Sequence, residues 1–212
     1  MTSRRQVRAR EQVAAIIAAH TALTAEVVRA TQVTAAYGYD AFAAHLDQHR
    51  AELNVVIGEF AIWAQSFGDW ATVDATRAIY PAALEPLAQP SRGDARTELR
   101  QVRDALKFRR AIALSALANA REALREAEIP ADHLTAYRRQ IRLWAGEAVE
   151  LVTEAHRLAL ADRYLRRLHQ GTAVLREWMQ ELDEADREGE LSLAAACGYG
   201  HLVERYRTEG PG

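Results

Sequence analysis

Prolines fall only at positions 81, 86, 90, 130 and 211 of the 212 residues, and the intervals between them are dominated by Ala, Leu, Arg and Glu. Proline removes a backbone donor and clashes with the preceding turn, so it punctuates helices, whereas those other residue types are good helix formers. No alternating apolar–polar segment bounded by turn residues occurs anywhere, so strands are not expected. Such proline-free runs constrain the chain to an all-α fold of long helices.

Apolar spacing places the helices. The first is predicted from about Arg5 to Tyr37, with a stripe of Val13, Ile16, His20, Leu23, Val27, Ala30, Thr34 and Tyr37 at three–four spacing. Gly38 suits a C-cap and Asp40 an N-cap, which makes Tyr37-Gly38-Tyr39-Asp40 a tight hairpin. The second helix, to Phe67, repeats the spacing with Phe42, Leu46, His49, Leu53, Val56, Phe60, Trp63 and Phe67, and Gly68 closes it. A connector over 69–92 holds one short helix (Trp70 to Tyr80) and three prolines. Asp94 caps a third helix reaching about Ala127. Pro130 suits the first turn of a fourth, which carries Leu134, Tyr137, Ile141, Trp144, Ala148, Leu151, Ala155 and Leu158 and ends near Gly171. Two shorter helices follow, about Thr172 to Arg187 and Leu191 to Arg207.

Long seams of period 3.5 pack at shallow angles, so the predicted architecture is one helical domain, residues 1–212: an elongated antiparallel bundle of four long helices with shorter connector and C-terminal helices. Its parts are hairpins 5–67 and 94–170, connector 69–92 and short helices 172–207.

Several chemistries lack their signatures. There is no phosphate-cradling Gly-rich loop with its lysine, no nucleophile elbow and no His-Glu-x-x-His helix. No Glu precedes a His by three residues, so the di-iron bundle motif is missing, and no cofactor is indicated. One cysteine, Cys197, allows no intramolecular disulfide and suits a reducing, cytoplasmic setting. Apolar stretches such as Val13 to Ala19 are interrupted by polar residues before a membrane span is reached, and the basic start (Arg4, Arg5, Arg8, Arg10) leads into no leader-like core.

Polar residues inside apolar arcs are the candidate site. His20 and His49 project from the middle of their stripes, Arg109 sits between Leu106 and Ala113, and Asp162 continues the fourth seam. With helices alternating up and down, His20 and Arg109 lie at similar heights, about 25 Å from the hairpin end. His20, His49 and Arg109 form the ligand-binding candidate. The competing reading is a set of hydrogen-bonded core polars, in which case leucine at 20 or 49 leaves stability similar or better. His45, His49 and Glu52, at i, i+4 and i+7, present a candidate metal face needing further ligands from another helix. The aromatics Phe60, Trp63, Phe67 and Trp70 either plug one end of the core or anchor a partner.

Charge is unevenly spread. Residues 92–128 hold nine basic and six acidic side chains, with Arg96, Arg100, Arg103, Lys107 and Arg110, then Arg121 and Arg125, along helix three. Residues 171–212 hold four basic and nine acidic ones, including Glu181, Glu184 and Glu188. Complementary patches of this kind favour pairing within the chain or between copies. A net charge of −2 makes nucleic acid a secondary partner class. The leading reading is a non-catalytic scaffold or adaptor acting through protein–protein contacts, in an oligomer or larger assembly. A bundle enzyme or small-ligand binder around His20, His49 and Arg109, and a backbone-binding nucleic-acid subunit, are the alternatives.

Overall fold

The computed structural model describes residues 3–65 and 94–210. The short helix expected over Trp70 to Tyr80, the three clustered prolines and the aromatics Phe67 and Trp70 lie outside that range. The described residues fold as an all-α protein: α1 (Arg4–Ala36), α2 (Asp40–Gln65), α3 (Ala95–Glu126), α4 (Asp132–Leu165), α5 (Thr172–Gln180), α6 (Glu184–Ala194) and α7 (Gly200–Glu209). They divide into two compact units, Met1–Ala155 and His156–Gly212.

Local chemistry sets the helix ends of the first unit. Ser3 caps α1 in a capping box with Gln6, each side chain bonded to the other's main chain. At the far end Gly38, at φ 81°, lets the Tyr39 N–H reach back to the Thr34 carbonyl at 2.9 Å, closing the hairpin. Asp94 caps α3 through the Arg96 N–H. Between α3 and α4, Ile129 N–H bonds the Leu124 carbonyl at 2.9 Å, and Glu128 takes the left-handed conformation at φ 60°. Pro130 precedes α4 rather than lying in its first turn.

Directions follow from the contacts. Arg8 pairs with Glu126 at 2.6 Å, joining the start of α1 to the end of α3. At the other end the Tyr37 hydroxyl is bonded to Glu98, and burial followed by that carboxylate pushes its pKa up to about 12. So α3 runs antiparallel to α1. Trp63 lies 5.6 Å from His133 and His49 faces Glu147, so α4 runs antiparallel to α2. The helices therefore run up, down, down, up, not alternately, and neighbouring helices are antiparallel. The end of α2 and the start of α3 thus lie at opposite ends of the bundle, about 39 Å apart for a 26-residue helix.

Leu23, Val27, Leu46, Leu53, Ile57, Leu99, Leu106 and Ile141 are wholly buried at the centre. Each contributes about 2 kcal/mol of transfer free energy. One 18-residue window of α1, with mean hydropathy 1.4, is apolar enough to cross a membrane by composition; half of it is buried in this core. The α4 stripe drifts. Ala145, Val152 and Ala159 are buried where the 3.5 spacing points to Trp144, Leu151 and Leu158. A straight helix of 3.6 residues per turn drifts by about 20° per seven-residue repeat, and the seam takes it up in one extra four-residue step, from Ile141 to Ala145, before three–four spacing resumes. Asp162 is consequently not in the seam: it is exposed and paired with Arg166 at 2.7 Å.

In the second unit Tyr164, wholly buried, stacks on Trp178 at 5.8 Å above Leu160, Leu168, Leu175 and Leu202. Gly171, at φ 108° and ψ −168°, occupies backbone space open to glycine and turns the chain into α5. The two predicted short helices become three. Asp183 breaks the first in extended conformation and places Glu184 and Asp186 in the opening turn of α6, at the positive end of its dipole. Gly198, at φ 95°, kinks the second before α7.

Candidate functional site

In the core of the first unit, His20 is 1% exposed and its Nδ1 lies 2.7 Å from the Tyr137 hydroxyl. Burial lowers the His20 pKa to about 3, so the ring is neutral. The same burial raises the Tyr137 pKa, keeping the phenol protonated. If Tyr137 donates to Nδ1, only the Nε2 side of the ring lacks a partner; the reverse tautomer strands the phenol proton as well. The Tyr137-to-His20 direction is therefore favoured. Among the described residues Nε2 of His20 and Oγ1 of Thr24, one turn further along α1, have no hydrogen-bond partner. Phe60 stacks on Tyr137 at 5.2 Å and meets Trp63 in a tilted contact at 5.3 Å, so Phe60 and Trp63 fill the core. Arg109 does not join His20. It is half-buried, with its guanidinium 5.8 Å from the ring of its own neighbour, Phe108.

His49 sits between two carboxylates, Nδ1 3.7 Å from Glu52 and Nε2 3.6 Å from Glu147 of α4. It lines an open groove of about 580 Å³ with His45, Gln48, Glu147, Glu150 and Glu154. Glu52 accepts a hydrogen bond from Gln48 at 3.0 Å. The expected metal face is not assembled: among the described residues no three His, Cys, Asp or Glu side chains form a metal-ligating group. One reason is geometric, since Glu52 and Glu147 approach opposite nitrogens of the same imidazole.

The charged segments are largely engaged locally. Asp104 lies 2.8 Å from Arg103 and 4.0 Å from Arg100, while Lys107 is exposed and Arg96 half-buried. Arg110 is not part of an outward stripe. It is half-buried, donates from Nη2 to the Arg142 carbonyl at 3.1 Å, and its guanidinium packs over Gly146. Within the second unit Glu181 accepts from the Tyr164 hydroxyl, Glu188 pairs with Arg207, Glu177 with Arg167 at 3.3 Å and Glu190 with Arg157 at 3.3 Å. Glu184 is exposed in the first turn of α6.

A further surface escaped the sequence reading. The solvent side of α2 carries Ala41, Ala44, Gln48, Ala51, Val55, Gly58 and Ile62, a second three–four stripe beside the buried one. Val55 is 62% and Ile62 72% exposed, and open space faces Gly58. The signal is present in the sequence, but alanine and glycine at helical spacing are easily taken as filler on a solvated face.

Fold and surface together define a helical-bundle protein whose described residues include an exposed, largely apolar helix face. Comparison with family models, with curated proteins and with solved structures finds no match.

Proposed function

We propose that the protein is a non-catalytic helical scaffold that docks a helix of a partner protein, or of a second copy, along the outer face of α2. The observation that carries this is the exposed stripe from Ala41 to Ile62. It has the spacing of a packing seam, large apolar side chains at Val55 and Ile62, and small residues between them that let another backbone approach. Apolar helix faces laid into one another are a recurrent recognition mode. The single cysteine, Cys197, is exposed and free, which suits a reducing compartment, and we place the protein in the cytoplasm.

The test is the double substitution Val55→Glu with Ile62→Glu. Both side chains are exposed, so the melting temperature stays close to that of the parent. Self-association in light scattering, or capture of a helical partner, is lost. Unchanged association would remove α2 from the interface.

A further inference from the structure

Four arginine side chains line one small pocket between α3 and α4. Arg121 enters from α3, and Arg138, Arg139 and Arg142 from α4, around a volume of about 280 Å³. Among the described residues no carboxylate lines it. Among the described residues none of the four arginines has a carboxylate partner, although Arg125, one turn from Arg121, pairs with Glu122 at 2.6 Å. Arg138 is half-buried, and its Nε, shielded from solvent, has no hydrogen-bond partner among the described residues. Arg138 and Arg142 stand at i and i+4 on α4, where like charges repel. Leu117 and Leu134, each 2% exposed, form an apolar floor.

Arg121, Arg139 and Arg142 are exposed and Arg138 is half-buried; holding four like charges together with no carboxylate beside them among the described residues is unfavourable, and a bound anion would relieve it. Guanidinium forks match phosphoryl oxygens in bidentate geometry. We propose that this pocket binds a small, multiply charged phosphate compound. The arginines hold its phosphoryl oxygens, and the Leu117–Leu134 floor takes any apolar remainder. The small volume between two helices favours a small ligand over a nucleic-acid backbone. A backbone would need the stripe to extend along α3, where Arg100 and Arg103 are already engaged by Asp104.

Isothermal titration of the intact protein with inorganic pyrophosphate, at fixed ionic strength, tests this. One saturable site per chain is expected. Arg138→Gln and, separately, the more exposed Arg142→Gln each weaken binding at least about tenfold, as expected for losing a charge-assisted contact. Arg100→Gln makes the same charge change about 30 Å away along α3 and leaves affinity unchanged. The proposal is overturned by an absence of saturable binding, or by equal weakening in Arg100→Gln, which marks a diffuse counterion effect. It is also overturned if a single-stranded oligonucleotide binds the arginines and pyrophosphate does not displace it.

Discussion

His20 shows what changes when a residue acquires its real neighbours. As an isolated histidine on an apolar arc, it is replaceable by leucine. In the fold, that substitution leaves the Tyr137 hydroxyl buried without its acceptor. His20→Leu is therefore expected to destabilise by about 1–3 kcal/mol, and adding Tyr137→Phe to recover much of the loss. Denaturant melts of the four-member cycle measure the coupling; additive effects would show that the 2.7 Å contact contributes nothing. The same residue sets a pH dependence. Unfolded His20 titrates near 6.5, while the folded ring stays neutral down to about 3. Between these values the unfolded chain binds the extra proton. Stability is thus complete above about pH 6.5 and falls as the pH drops, by up to about 1.4 kcal/mol per unit. The His20→Leu, Tyr137→Phe double variant should have a flatter profile over that window. His49, between two half-exposed carboxylates and without a hydrogen bond at Nδ1, is expected to tolerate leucine with little change.

At the level of elements, two glycines make opposite predictions from their backbones alone. Gly58 lies inside α2 with open space where a side chain would go. Gly58→Ala should stabilise by about 0.5–1 kcal/mol, because alanine loses less backbone entropy in a helix. Gly171 has φ 108° and ψ −168°, a conformation costly for any other residue, so Gly171→Ala should destabilise by about 1–3 kcal/mol. Thermal melts of the pair separate the two, and stabilisation by both would mean that the turn at Gly171 relaxes freely. Helix existence, the Tyr37–Asp40 hairpin and the Asp94 cap were legible because each depends on residues within a few positions of one another. The Ser3–Gln6 capping box is not part of the sequence reading, which begins the helix at Arg5 and names no cap, although serine followed three residues later by glutamine is a local signature of one. The break at Asp183 was not. An acidic run reads equally well as a helix face or as the opening turn of a new helix, and only the chain path chooses.

Across the molecule, the choice is between two kinds of adhesion. Charge asymmetry along the sequence suggests salt-sensitive association through the arginines of α3 and the acidic C-terminal segment. The structure ties many of those groups to near neighbours, notably Asp104 to Arg103 and Glu188 to Arg207. Exposed pairs of this kind are individually weak, about 0–1 kcal/mol, yet they leave less unbalanced charge for a partner. Association through Val55 and Ile62 should instead persist when salt is raised, because apolar contact is not screened. Light scattering across a salt series, with the Val55→Glu, Ile62→Glu variant alongside, distinguishes the two. Dissociation by salt in the parent would favour the charged faces and count against α2.

What the sequence determined by itself was the class of fold: proline placement, helix-forming composition and three–four spacing act through neighbours in the chain and admit long packed helices. Tertiary structure alone decided that α3 runs in the same direction as α2, because the segment joining them is long enough to return along the bundle or to stay at one end. It also decided that His20 meets Tyr137 and not Arg109, that Arg110 turns onto Gly146, and that Arg121 joins Arg138 and Arg142 around one pocket. Each of those pairings joins residues far apart in the chain. A periodic pattern records which way a side chain faces, and carries no information about which helix it faces.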